Sequence, residues 1–237
     1  MKRAAARIAI LDYGMGNLRS VEKALDRVDA APLITSDAGD ASGCDGLILP
    51  GVGAFPRAIE RIRAAGLDGL IAERRDTGTP ILGICLGLQL LFESSDELGG
   101  AEGLGLLPGP VEALRAPGLK VPHIGWEPMR WEKPSPLADG IPHGTPFYFV
   151  HSHAPRPQPA DTLGTAAYGE RFAAAVENGN VFGVQFHPEK SSAAGLRLLA
   201  NFAEVCLQRR SRTRERSPAV DPASGSRAER ERGSGVI

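Results

Sequence analysis

One cysteine stands where a covalent nucleophile would be held. In Pro80-Ile-Leu-Gly-Ile-Cys-Leu-Gly-Leu-Gln89, the stretch Ile81 to Ile84 has the composition of a buried strand. Gly83 to Gly87 reads as a tight turn, and Leu88-Gln-Leu-Leu-Phe92 as the start of a helix. Strand, sharp turn and helix with a glycine two residues either side of the central residue make a nucleophile elbow, here with Cys85 in the place of serine. The bend is tight enough that flanking side chains would collide, and glycine removes them. A thiol at a helix N-terminus would have its thiolate stabilised by backbone N–H groups and the helix dipole.

A free thiol is only a few per cent ionised at neutral pH and needs a base. The chain has five histidines, and His187 stands out because it follows the apolar run Val181-Phe-Gly-Val-Gln-Phe186 and opens His187-Pro-Glu189-Lys190. Proline after histidine favours an extended turn. Such a turn can bring the Glu189 carboxylate back to the imidazole, where it would fix the tautomer and stabilise the cation. Cys85, His187 and Glu189 then fill the roles of nucleophile, general acid/base and orienting group. The plainer reading makes His187 a strand cap and Glu189 a solvated carboxylate. Pairing with the elbow about a hundred residues upstream favours the triad. An oxyanion hole would draw one donor from the N–H of Leu86 and a second from Pro50-Gly51-Val52-Gly53, unless that segment is simply a strand-to-helix turn.

These groups need a sheet to hold them. Arg7 to Leu11, Ala31 to Ile34, Gly46 to Leu49 and Ile81 to Ile84 read as strands. Leu18, Val21, Leu25 and Val28 fall at helical spacing, and Phe55 to Ala65 and Leu67 to Arg75 read as helices broken by Gly66. This alternation predicts a mostly parallel central sheet with helices on both faces. After about residue 103 short Gly- and Pro-rich segments predict additional antiparallel β-structure, with Asn178-Gly179 a hairpin signal. A helix from Ser191 or Ser192 to about Leu207 is expected to close one domain, residues 1–208. Residues 209–237 carry eight Arg against four acidic residues and almost no apolar ones, which predicts a disordered tail.

Composition narrows the function classes. A net charge of −1 over 237 residues gives no bulk attraction to nucleic acid or a membrane surface. No apolar run approaches 18 residues. Cys44, Cys85 and Cys206 are widely spaced and odd in number, which argues against a zinc site or disulfide framework and fits a reducing cytoplasm. No metal or cofactor is implied.

The elbow Gly-Ile-Cys85-Leu-Gly-Leu-Gln89 together with Gln-Phe-His187-Pro-Glu189 resembles the class I, triad-type glutamine amidotransferases. Further segments are similar to the glutaminase subunits of imidazole glycerol phosphate synthases, from histidine biosynthesis. These are Asp12-Tyr-Gly-Met-Gly-Asn17, Leu49-Pro-Gly-Val-Gly53, Val121-Pro-His-Ile-Gly-Trp126, Tyr148-Phe-Val-His-Ser152 and Phe186-His-Pro-Glu-Lys190. The likeness spans about residues 7 to 207. It implies hydrolysis of glutamine to glutamate and ammonia through a glutamyl thioester on Cys85. The ammonia would pass to a separate (β/α)8-barrel cyclase that makes imidazole glycerol phosphate and an aminoimidazole carboxamide ribonucleotide. Low activity alone, rising when the cyclase binds its ligand, is also implied.

By the same resemblance Gly53, Gln89 and Glu97, with the backbone of Ser152 and His153, would meet glutamine, and Asn17, Trp126, Tyr148 and Lys190 would lie at or near the partner interface. Other readings stay open: Gln89 and Glu97 as ordinary polar residues, Trp126 as a core aromatic, Lys190 as a surface cation. Two positions depart from the family pattern, His153 where an aromatic residue is usual and Glu127 where Asn is common. Rival functions are the glutaminase of another amidotransferase, a non-catalytic docking subunit, and a hydrolase acting alone on γ-glutamyl substrates.

Overall fold

A computed structural model describes residues 4–216. The first half alternates strand and helix as its periodicities predict: β1 (Arg7–Leu11), α1 (Leu18–Asp26), β2 (Ala31–Thr35), α2 (Ala38–Ser42), β3 (Gly46–Gly51), α3 (Phe55–Ala64), α4 (Leu67–Asp76), β4 (Ile81–Cys85) and α5 (Leu86–Leu90). The second half is strand-rich: β5 (Phe92–Ser95), β6 (Ala101–Glu102), β7 (Leu107–Ala113), β8 (His123–Pro128), β9 (Arg130–Trp131), β10 (Pro146–His151), β11 (His153–Pro155), β12 (Thr162–Tyr168), β13 (Glu170–Asn178) and β14 (Val181–Val184). Helix α6 (Ser192–Arg216) follows.

The central sheet runs β2-β1-β3-β4-β14-β13-β12-β9. Its first five strands are parallel, and the rest join antiparallel. Strand β1 shows why both faces are covered. Ile8 and Ile10 pack into one core with Val21 and Leu25 of α1 and with Leu198, Leu199 and Phe202 of α6. Ala9 and Leu11 pack into the other with Phe55, Ile59 and Ile62 of α3 and with Leu67, Leu70 and Ile71 of α4. Residues of one strand alternate between the two faces, so both must be apolar. Strands β10 and β8 form an antiparallel pair, and β11-β7-β5-β6 form a smaller sheet.

Two expectations need correction. The helix after Cys85 is only Leu86–Leu90, and Phe92 already belongs to β5. The apolar run Leu88 to Phe92 is buried by packing on both sides, which periodicity alone cannot distinguish from a longer helix. At the C-terminus the helix does not stop near Leu207 but continues to Arg216, so the segment expected to be a disordered tail from 209 opens as helix. Its first two arginines have fixed partners. Arg209 Nε donates to the Gly78 carbonyl at 3.0 Å and Arg210 Nη1 to Asp45 Oδ2 at 2.9 Å. Charged side chains read as solvated in the sequence therefore tie the helix to the loops at the edge of the parallel strands. The remainder of the expected tail, 217–237, lies outside the described residues.

Candidate active site

Cys85, the candidate nucleophile, is set by a turn that its flanking glycines permit. Cys85 ends β4 with φ 56° and ψ −113°, a conformation costly for a residue with a side chain. A Cβ on Gly87 would lie 1.7 Å from the Leu49 carbonyl oxygen, and one on Gly83 would lie 2.7 Å from the Gly87 carbonyl oxygen. The elbow is thus pressed against β3 on one side and closed on itself on the other. Helix α5 is only five residues long, so it offers the sulfur little helix dipole.

Cys85, Leu86 and His187 line one cavity of about 300 Å³ with Val52, Gly53, Gln89, Glu97, Pro122, Val150, His151, Ser152 and His153. His187 Nδ1 and Glu189 Oε1 are 2.9 Å apart, with side chains only 2% and 1% exposed. Burial opposes a charged imidazole. The neighbouring Cys85 and then the Glu189 carboxylate outweigh burial and lift the His187 pKa from 6.5 to about 9. The His187 backbone is held too: its N–H donates to the Tyr148 carbonyl at 2.9 Å, and its carbonyl accepts from Ser191 Oγ at 2.7 Å.

The segment expected to supply the oxyanion donors lies beside Cys85. Gly51 ends β3 paired in register with Cys85. Val52 is 42% exposed, and Gly53 has φ +106°. The segment is anchored at both ends. Buried Tyr13 donates to the Pro50 carbonyl at 2.7 Å, and Glu97 Oε2 accepts from the Phe55 N–H at 2.7 Å. Burial, with Cys85 nearby, pushes the Tyr13 phenol pKa up, so the hydroxyl stays a donor.

The expected glutamine contacts converge on this cavity, but several groups already have protein partners. Gln89 Nε2 donates to the His153 carbonyl at 2.9 Å and to Gln185 Oε1 at 3.0 Å. The Ser152 carbonyl accepts from Leu114 N–H at 2.9 Å. His153 places Nε2 3.4 Å from Asp96 Oδ1 at the rim.

Asn17, Trp126, Tyr148 and Lys190 come together near the triad. Asn17 Nδ2 donates to Glu189 Oε1 at 3.4 Å. Trp126 is 48% exposed and packs edge-on to Tyr148, ring centroids 5.8 Å apart, directly across the β8–β10 pair. Lys190 Nζ lies 6.0 Å from the Tyr148 ring centre. Trp126 is therefore a surface aromatic rather than part of the core.

Sequence reasoning did not find three residues of this neighbourhood. Tyr13 belongs to a quoted motif but gave no sign of its hydroxyl's role. Gln185 looked like an apolar-strand residue. His151 Nε2 lies 3.2 Å from His123 Nδ1, and His151 Nδ1 donates to the His153 carbonyl at 2.8 Å. Glu127 Oε1 stands 3.4 Å from His123 Nε2, so the departure from the family pattern at 127 faces this histidine pair. The period-2 alternation of β8 and β10 was the available signal, since it places 123, 127 and 151 on inward or rim positions.

Residues 9–206 match the class-I glutamine amidotransferase family. The imidazole glycerol phosphate synthase subunit HisH of Moorella thermoacetica is 54% identical over 199 residues, covering 84% of this chain and 94% of that protein. The subunit of the same name from Methanosarcina barkeri is 48% identical over 202 residues, covering 84% and 99%. In fold the chain is similar to a solved glutamine amidotransferase with a TM-score of 0.67 at 23% identity, covering 84% of this chain and 98% of that one. The chain belongs to the class-I glutamine amidotransferase family, and within it to the HisH subunits of imidazole glycerol phosphate synthase.

Proposed function

We propose that this chain is the glutamine-hydrolysing subunit of an imidazole glycerol phosphate synthase and that Cys85, His187 and Glu189 carry the chemistry. The Cys85 thiolate attacks the carboxamide carbon of glutamine. The N–H of Leu86 and the peptide joining Gly51 and Val52 stabilise the oxyanion. Imidazolium His187 gives its proton to the departing nitrogen, and ammonia leaves. Neutral His187 then takes a proton from water as it attacks the thioester, and the sulfur leaves as thiolate, releasing glutamate and restoring the thiolate–imidazolium pair. Glu189 keeps the ring in the tautomer that points Nε2 away from the carboxylate. Glutamine is held by Gly53, Gln89, Glu97 and the backbone of Ser152 and His153, with the Glu97 carboxylate opposite the substrate ammonium.

Ammonia in water is mostly protonated and has no lone pair to give, so its use requires a dry route to the acceptor. We assign that acceptor to a (β/α)8-barrel cyclase docked on the face bearing Asn17, Trp126, Tyr148 and Lys190, as a heterodimer. The working compartment is the cytoplasm, where three buried, unpaired cysteines persist as thiols. Among the described residues no helix is long and apolar enough to cross a membrane.

The observation that supports the reading most is a buried imidazole 2.9 Å from a buried carboxylate on one side, with the elbow cysteine on its other side. The test is a coupled assay with the cyclase. Glutamine should support imidazole glycerol phosphate formation, and Cys85→Ala should abolish this while ammonia-dependent synthesis survives. Absence of glutamine-dependent product from the wild-type pair would overturn the proposal.

A further inference from the structure

One buried amide beside the nucleophile has no place in the triad. Gln185 follows β14, two residues before His187, and is 0% exposed. Its Oε1 accepts from Gln89 Nε2 at 3.0 Å, and its Nε2 lies 3.8 Å from Cys85 Sγ as a donor. This orientation follows from the network. Gln89 also reaches the His153 backbone carbonyl at 2.9 Å. A carbonyl only accepts, so the Gln89 atom facing it is the NH2 group. The same nitrogen faces Gln185, which must answer with its oxygen and so turn its own NH2 to the sulfur. A main-chain carbonyl in β11 thus dictates, through two side chains, that a donor points at the thiol.

The opposite influence lies across the sulfur, where the Val150 carbonyl is 3.8 Å away and can accept the S–H of the neutral thiol. A donor favours the thiolate and an acceptor favours the thiol. We infer that Gln185 is a further catalytic residue, whose NH2 hydrogen-bonds the Cys85 thiolate, and that Gln89 is a positioning residue acting through it. This deepens the proposed function, since it takes Cys85 as the nucleophile. Gln89 lines the glutamine cavity while Gln185 does not, so the wall that meets substrate and the donor that steadies the sulfur are one hydrogen-bonded unit.

The test reads the thiol directly and needs neither glutamine nor the cyclase. The rate of Cys85 alkylation by iodoacetamide is followed against pH by mass analysis of the Cys85 peptide. The other charges around the sulfur are retained in every variant: His187 with Glu189 behind it, His151 from β10, Tyr13 from the loop after β1, and Glu97 and His153 across the cavity. Gln185→Met removes the donor and should move the alkylation midpoint to higher pH, with a thiolate population lower by about tenfold at neutral pH. Gln185→Glu places an acceptor and a negative charge there and should move it further. Gln89→Leu frees the Gln185 amide to turn over and should give a smaller shift in the same direction.

With the cyclase present, Gln185→Met should lower kcat for glutamine by a similar factor and change KM little. A midpoint that coincides with wild type in a Gln185→Met or Gln185→Glu protein of unchanged thermal unfolding overturns the inference. If Gln185→Met does not fold, the Gln185→Glu and Gln89→Leu profiles decide alone. Failure of glutamine turnover in the wild-type pair would instead break the function while leaving the alkylation profiles interpretable.

Discussion

His151 and His187 are both buried and line the same cavity, yet their environments drive them in opposite directions. His151 has a carbonyl below one nitrogen and a second imidazole beside the other. Burial, the largest influence, outweighs the His153 carbonyl and brings its pKa down from 6.5 to about 4, with the neighbouring histidines adding to the fall. His187 is buried as well, but Cys85 and Glu189 overcome the burial and raise it to about 9. Burial alone produces a neutral ring. A carboxylate at hydrogen-bond distance, with Cys85 nearby, favours an imidazolium, the form proposed to hand a proton to departing ammonia. The comparison separates the proposed acid of the site from a histidine that shapes its wall.

The largest way to break this contrast is Glu189→Gln. The amide keeps the shape but removes the charge that supports the imidazolium and fixes its tautomer. Glutamine-dependent kcat should fall by roughly 10³–10⁴-fold, with ammonia-dependent synthesis by the cyclase complex unchanged. Steady-state assays with the two nitrogen sources check this, and a loss under about tenfold would mean that Glu189 is not the orienting group.

The two histidines also leave opposite marks on stability. His151 has a depressed folded pKa, so its contribution is complete above 6.5 and lost as pH falls towards about 4. The effect is on the order of 3 kcal/mol. His187 has a raised folded pKa, so its contribution is complete below 6.5 and lost as pH rises through about 9. Urea unfolding across pH should show His151→Gln flattening the acid limb and Glu189→Gln flattening the alkaline limb. Acid limbs of equal slope in wild type and His151→Gln would contradict the assignment of a neutral His151.

Smaller effects sharpen the picture at the edges of the site. His153→Tyr severs the rim contact with Asp96 but keeps the carbonyl that orients Gln89. Because Asp96 is 57% exposed, that pair is worth little. kcat and KM for glutamine should each stay within about threefold of wild type, and a tenfold rise in KM would make the His153 side chain a substrate ligand. Asn17→Ala removes a long hydrogen bond to Glu189 and should lower kcat by no more than about fivefold. A larger loss with intact cyclase binding would give Asn17 a direct part in orienting the triad.

Much of this was legible in the residues themselves. The period-2 and period-3.6 patterns of the first half gave β1, α1, β3, α3, α4 and β4 to within a residue or two, because each strand is apolar on both faces and each helix on one. Glycines at 83 and 87 announced the elbow through the close approach they permit. Strands β5, β6 and β11 were not legible, being short and bounded by no clear turn signal. The continuation of α6 past Leu207 was hidden because arginines seeking carbonyl partners look like arginines seeking water. The roles of Gln185 and His151 were hidden for a related reason. Sequence shows a residue type, whereas a donor's direction or an imidazole's charge depends on which groups three-dimensional packing places around it.

The central claim is that Cys85 Sγ receives the γ-glutamyl group of glutamine, with His187 as the proton donor to the departing ammonia. Labelling the chain in complex with the cyclase by a diazoketone analogue of glutamine tests it most directly, with peptide mass analysis to locate the bond. The account predicts a single adduct on Cys85, formed as glutaminase activity is lost, blocked by excess glutamine and slowed in Glu189→Gln. An adduct on any other residue, or full loss of activity with Cys85 unmodified, would contradict it.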